Sequence, residues 1–168
     1  SGAPLVADKV LNLPPSHLGF YMGSITGAFL VGSFISNRLA KHTTSTKLVL
    51  AGRTISVLGL SLGLIIVMFG NVSSLSIFGS TLFIGLGNGM SLPSCYVGVM
   101  NVRSDLAGSA AGLSGAMGVA AGAILATMMA AILTENNAAF GFLSFLLVAK
   151  IISLAGAILA HNLEKNIN

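Results

Sequence analysis

The feature that most restricts the fold of this chain is a stretch of forty-nine residues, Thr54 to Val102, without a single Asp, Glu, Lys or Arg. A helix needs about 20 predominantly apolar residues to cross the hydrocarbon core of a bilayer. The stretch is therefore long enough for two crossings, and residues 70–74, GNVSS, have the composition of a turn between them. A pair of membrane-spanning helices is the structure that this stretch predicts.

The composition of the whole chain extends that prediction to the rest of the protein. Charged residues make up 7% of the 168 residues and the mean hydropathy is +0.93, whereas soluble domains carry roughly 25% charged residues. The basic residues form no stripe that follows a phosphate backbone, so nucleic-acid binding is not expected. The single cysteine, Cys95, lies in an apolar run, which argues against a disulfide framework and a metal site. The sequence points to no cofactor, and the lipid bilayer is the first partner that it predicts.

Polar loops divide the apolar sequence into five segments, so the predicted fold class is an all-α membrane protein with five transmembrane helices. Residues 1–17 are expected to form an extracytoplasmic end of a preceding helix and a loop, residues 18–160 the helical bundle, and residues 161–168 a cytoplasmic tail. Pro14 and Pro15 do not fit inside a regular helix, so the first crossing is expected to begin after them. The predicted crossings are Leu18–Leu39, Leu48–Gly70, Leu75–Met100, Ala107–Leu133 and Phe140–Ala160.

Lys and Arg are distributed unequally between the two sides that five crossings create. One side receives only Lys9. Lys and Arg accumulate in short cytoplasmic loops, so the richer side and the carboxy terminus are expected to be cytoplasmic. That side carries Arg38, Lys41, Lys47, Arg103 and Lys165.

Small residues are concentrated in the fourth segment and recur in the first. Helices in lipid associate where small residues let their backbones approach closely. The pattern leaves two interpretations open: packing between helices of this chain, or a surface on which another helical bundle moves. The glycines concerned are Gly23, Gly27, Gly108, Gly112, Gly115, Gly118 and Gly122.

The third segment combines a helix-disrupting residue with a polar stripe. Pro93 removes the hydrogen bond to the carbonyl of Gly89, so a kink is expected between them. A helix with a freed carbonyl is tolerated in lipid where a neighbour or a water-filled cavity satisfies that group. Residues spaced by three and four form one mostly polar stripe on this helix, which comprises Thr81, Ile84, Asn88, Ser91 and Cys95. The polar members, Thr81, Asn88, Ser91 and Cys95, are the candidate cavity residues.

Asn88 lies about 20 Å along that helix, near the middle of the bilayer. Its amide needs a partner there, which is either an interhelical hydrogen bond or a solute in a translocation cavity lined by the stripe. Two cations also fall inside predicted helices. Arg53 is close enough to the cytoplasmic end to reach the headgroups, whereas Lys150 is about 15 Å into the last helix, where a charge is costly. Lys150 either reaches the interface, faces the bundle interior or loses its proton.

Two short motifs resemble parts of enzymes, but their positions in the sequence argue against an enzyme site. The glycines of residues 85–89, GLGNG, lack the preceding strand of a dinucleotide-binding loop. Ser114 and His161 resemble the serine and histidine of an intramembrane protease, but they are expected at different depths, out of hydrogen-bond reach. The sequence therefore does not predict an enzyme.

Two stretches carry a resemblance to a known family. Residues 101–115 read NVRSDLAGSAAGLSG, which resembles the loop and the start of the eleventh helix of major facilitator superfamily transporters, in particular the bicyclomycin/chloramphenicol-resistance branch of the drug:proton antiporters. Residues 32–41, GSFISNRLAK, resemble the second copy of the family's cytoplasmic loop signature. There Arg38 and Lys41 match basic positions, while Asn37 stands where Asp is usual.

The resemblance covers nearly the whole chain and implies that its five helices correspond to helices eight to twelve of a twelve-helix transporter. It implies a fragment of a secondary active transporter, a proton-coupled exporter of small apolar or cationic compounds, in a bacterial inner membrane. The expected partners are a small-molecule substrate, the missing amino-terminal half and the protons that this half handles. The alternative is a non-transporting membrane-embedded scaffold or subunit, whose glycine helices bind a partner.

Overall fold

The structure, a computed structural model, describes residues 15–70, 74–102, 106–132 and 138–167. Five helices account for nearly all of these residues, in agreement with the predicted all-α fold. Their order is α1 (Pro15–Leu39), α2 (Ser45–Met68), α3 (Ser74–Val102), α4 (Ala107–Ile132) and α5 (Ala138–Ile167).

Two predicted boundaries are corrected by the helices. Pro15 is the first residue of α1, because a proline at the first helical position gives up an N–H that has no partner within the helix. The last helix continues beyond Ala160 to Ile167, so most of the predicted tail at residues 161–168 is helical. Residues 1–14 of the predicted leading segment lie outside the described residues.

Four of the five helices are long and apolar enough to cross a membrane: α1, α2, α4 and α5. The helix outside this group, α3, is 29 residues long, but glycines, hydroxyl residues and Asn88 dilute its apolar side chains. Large apolar side chains such as Phe20, Phe34 and Ile152 are exposed on the outside of the bundle. An apolar exterior of this extent fits a lipid environment and indicates a membrane location.

The centre of the described bundle is α3. It packs most extensively against α2 and next against α1, while α5 packs chiefly against α2. An apolar cluster formed by Leu60, Ile77 and Leu143, all nearly inaccessible, joins α2, α3 and α5. Because neighbours cover α3, it tolerates more polar side chains than a helix that faces lipid.

By contrast, α4 is joined to the bundle loosely. Its contacts with α3 and α5 are few, and only 6% of its apolar window is buried, compared with 28% for α2. Met129 is the buried apolar side chain that connects it to the core cluster. Most of the described surface of α4 is therefore not covered by this chain.

Candidate functional site

The predicted polar stripe of α3 lies inside the bundle. Ser91 is completely buried, and its hydroxyl donates a hydrogen bond to the carbonyl of Gly87 in the same helix. Thr81 is also buried and donates to the carbonyl of Phe78 at 2.8 Å. Both hydroxyls are thus satisfied by their own helix, as is common for Ser and Thr in apolar surroundings. Whether this face opens to line a solute cavity stays a prediction.

Asn88 is the meeting point of two cations from different helices. Its Oδ1 accepts a hydrogen bond from Nζ of Lys150 in α5 at 2.7 Å and another from Nη1 of Arg53 in α2 at 3.3 Å. The amide therefore has the interhelical hydrogen bonds that the sequence left open as one alternative. This contact also places Lys150 in the bundle interior. Arg53 turns inward to Asn88 rather than to the headgroups, so the snorkelling interpretation is wrong for this residue.

Arg53 has hydrogen-bond donors at this site that its contact with Asn88 does not use. Its Nε is buried and has no hydrogen-bond partner among the described residues. Its guanidinium also lies against the thiol of Cys95. Cys95 is partly buried and belongs to the polar stripe of α3. A guanidinium carries five N–H donors in a planar fork, and the described contacts leave at least the Nε donor unused.

The charge at this site is not compensated by the described side chains. The chain contains four acidic residues, namely Asp8, Asp105, Glu135 and Glu164, and none of them has a described side chain. Asn88 supplies a dipole but no charge. Two like charges repel by about 4 kcal/mol at 4 Å when the effective dielectric constant is 20, so a neutral amide alone is a weak bridge between two cations.

Pro93 does not interrupt α3, and a serine from α1 explains why. The helix runs from Ser74 to Val102 with Pro93 inside it. The carbonyl of Gly89, which Pro93 leaves without its usual donor, accepts a hydrogen bond from Oγ of Ser33 at 3.2 Å. The next carbonyl, that of Met90, accepts one from Ser36 at 3.0 Å. The freed group is thus satisfied by a neighbouring helix, as the sequence requires for a proline in lipid.

A groove follows this proline toward the end of α1. It has a volume of about 440 Å³ and is lined by Ser36, Asn37, Ser45 and Pro93, among others. Asn37 of the predicted loop signature is therefore on its wall. Arg38 lies over the ring of Phe34 at 5.4 Å from the centroid, and Lys41 is exposed.

The glycines predicted to pack have mostly open space beside them among the described residues. A Cβ added at six of them meets no atom within 4 Å, and at Gly115 it would meet only the Tyr96 hydroxyl at 3.8 Å. Both interpretations, packing between helices of this chain and a surface for another bundle, stay predictions for these glycines. The six with open space are Gly23, Gly27, Gly108, Gly112, Gly118 and Gly122.

Close packing is carried by other glycines, which the sequence analysis did not select for this role. A Cβ at Gly85 or Gly89 would collide with the carbonyl oxygen of Ile25 or Phe29 in α1, respectively. A Cβ at Gly87 would collide with the backbone of Gly52 in α2. A signal was present in α2, where Gly52, Gly59 and Gly63 are separated by seven and four residues, so they share one face.

The comparisons with known proteins add no relative. No family model, no curated protein and no solved structure matches this chain.

Proposed function

We propose that this chain is part of a secondary active transporter that exports small molecules by alternating access, coupled to protons. The proposal assigns it to the carboxy-terminal half of a major facilitator superfamily transporter, with α1–α5 as helices eight to twelve. Its support comes from the sequence resemblance at residues 32–41 and 101–115 and from the all-helical bundle.

One observation carries the proposal furthest, namely the uncovered small-residue face of α4. At 100° per residue its five glycines fall within roughly a third of the helix circumference. Among the described residues, an added Cβ meets no atom within 4 Å at four of them and only the Tyr96 hydroxyl, at 3.8 Å, at Gly115. In lipid, small residues aligned on one face are used for close helix contact. A second helical bundle docked on this face would use them in that way.

The test is proton-driven efflux by the longer reading frame to which this sequence belongs, expressed in bacteria that are sensitive to hydrophobic drugs. The expected result is reduced accumulation of at least one compound, reversed by a protonophore. A protein that changes no accumulation across a drug panel, but copurifies with another membrane protein through α4, would support the scaffold alternative.

The proposed orientation has its own test. Reporters fused after Lys41, after Asn101 and at the carboxy terminus are expected in the cytoplasm of a bacterial cell, and those at Ser73 and Asn136 outside. A single inverted loop would contradict the correspondence to helices eight to twelve.

The stripe of α3 is proposed to face the substrate pathway in one state of the transport cycle. Cys95 is the sole thiol of this sequence, so its labelling by a membrane-permeant maleimide reports when that face opens. Substrate is expected to slow the labelling. Cys95 that stays unreactive while efflux proceeds would restrict the stripe to helix packing.

A further inference from the structure

We propose that Arg53, Lys150 and Asn88 form a binding site for a carboxylate group inside the helical bundle. The observation behind the proposal is the convergence of two cationic side chains from α2 and α5 on one oxygen atom of α3. Because both cations contact the same Oδ1, their nitrogen atoms lie no more than about 6 Å apart. This separation is one that a single carboxylate, with two oxygen atoms, bridges.

The donors at the site outnumber the acceptors. An ammonium group carries three N–H donors and a guanidinium five, and neither has an acceptor. In the described part of the chain, Oδ1 of Asn88 and the thiol of Cys95 are the acceptors recorded for these two cations. The buried Nε of Arg53 has no partner. Buried polar groups are normally hydrogen-bonded, so the orphaned donor marks the place where a further acceptor is expected.

The chemistry of the donors selects a carboxylate. A planar guanidinium matches the two oxygens of a carboxylate, and the Lys150 ammonium supplies a second positive charge. Asn88 fixes both cations without neutralising either. A cationic compound would be repelled here, whereas an anion would offset the like-charge repulsion.

The carboxylate has two possible sources, which the same experiment separates. One is a free organic acid, which reaches the partly buried Lys150 and Arg53 from outside this chain. The other is one of the four acidic residues of this chain. The inference concerns binding alone and does not depend on transport.

The experiment is thermal unfolding of the chain in nanodiscs of phosphatidylcholine, which carry no net lipid charge. Sodium benzoate replaces sodium chloride stepwise, so that the ionic strength stays constant, and benzamide serves as the uncharged ligand of the same shape. We expect a saturable rise in Tm on the order of 5 °C at a benzoate concentration a hundred times the Kd, and no rise with benzamide. Arg53→Gln and Lys150→Gln should remove the rise. Lys165→Gln, which removes an exposed charge from the same helix as Lys150, should retain it.

A second variant keeps the proposal testable when the charge-removing variants do not fold. Asn88→Asp places a carboxylate between the two cations, so this variant should unfold at a higher temperature than the wild type in the absence of benzoate and should no longer respond to benzoate. If an acid of this chain fills the site, the wild type will not respond to benzoate. Neutralising that acid (Asp8→Asn, Asp105→Asn, Glu135→Gln or Glu164→Gln) should then lower Tm and create the response.

The proposal is overturned when benzoate shifts Tm neither in the wild type nor in any of the four acid variants, and Asn88→Asp unfolds at a lower temperature than the wild type. Equal shifts with benzoate and benzamide would also overturn it, because they would show that charge is not what the site recognises.

Discussion

Two groups of glycines in this bundle have the same chemistry and different surroundings. Gly85, Gly87 and Gly89 of α3 let the helix backbone approach α1 and α2 so closely that a single added carbon would collide with backbone atoms. Gly112 and Gly118 of α4 face open space. The difference shows that a small-residue repeat indicates a capacity for close contact, while the partner depends on where the helix lies in the bundle.

This comparison explains what the sequence could and could not predict. The number and approximate bounds of the helices follow from the lengths of the apolar segments, because the bilayer sets those lengths. The need to satisfy the carbonyl of Gly89 was also predictable, since it follows from the covalent structure of Pro93. That Ser33 satisfies it depends on how α1 and α3 are rotated, and this rotation leaves only a weak trace in the sequence.

The contact of both Arg53 and Lys150 with Asn88 was also not predictable from the sequence. The sequence places Asn88 and Lys150 near the middle of the bilayer, which is a signal that they pair with each other. It places Arg53 close to the cytoplasmic end, so nothing in the sequence indicates that Arg53 joins them. In addition, α2, α3 and α5 are separated in sequence, and the hydropathy of a segment does not say which side faces which neighbour.

The largest effect is expected from adding a methyl group to the contact glycines. Gly85→Ala and Gly89→Ala each place a Cβ against a carbonyl of α1 that has no freedom to rotate away. Overpacking of this kind costs about 1–3 kcal/mol per site, measured as the free energy of unfolding in nanodiscs. The matched variants are Gly112→Ala and Gly118→Ala, which should stay within about 0.5 kcal/mol of the wild type. Equal losses in the two groups would contradict the comparison.

The next effect concerns the polar contact in the middle of the bundle. Asn88→Leu leaves Lys150 and Arg53 without their shared acceptor, which should lower the free energy of unfolding by about 1–3 kcal/mol. Asn162→Leu, on an exposed position of α5, makes the same change without removing this contact. A silent Asn88→Leu would show that the two cations do not depend on the amide.

A smaller effect is expected at the proline. Ser33→Ala removes the donor to the carbonyl of Gly89, and interhelical hydrogen bonds in membranes contribute about 0.6 kcal/mol on average. Pro93→Ala returns a backbone N–H to the same carbonyl. In a protein that carries Pro93→Ala, Ser33→Ala should therefore not lower the free energy of unfolding any further.

The control for this pair is Ser24→Ala, because the hydroxyl of Ser24 donates to Phe20 within α1. Ser24→Ala should change the free energy of unfolding by the same amount in the wild type and in the Pro93→Ala variant. If Ser33→Ala is equally costly in both backgrounds, the serine does not compensate for the proline.

The most direct test of the account measures Gly112→Leu twice, once in this chain alone and once in the proposed full-length transporter. The account holds that the glycine face of α4 serves a second bundle and not this one. In the chain alone, Gly112→Leu should leave the unfolding temperature unchanged, while Ala120→Leu, an exposed position of α4 outside the glycine face, serves as the control for added bulk. In the longer protein at equal expression, Gly112→Leu should abolish proton-driven efflux and Ala120→Leu should preserve it. Normal efflux with Gly112→Leu, or a loss of stability in the chain alone, would contradict the account.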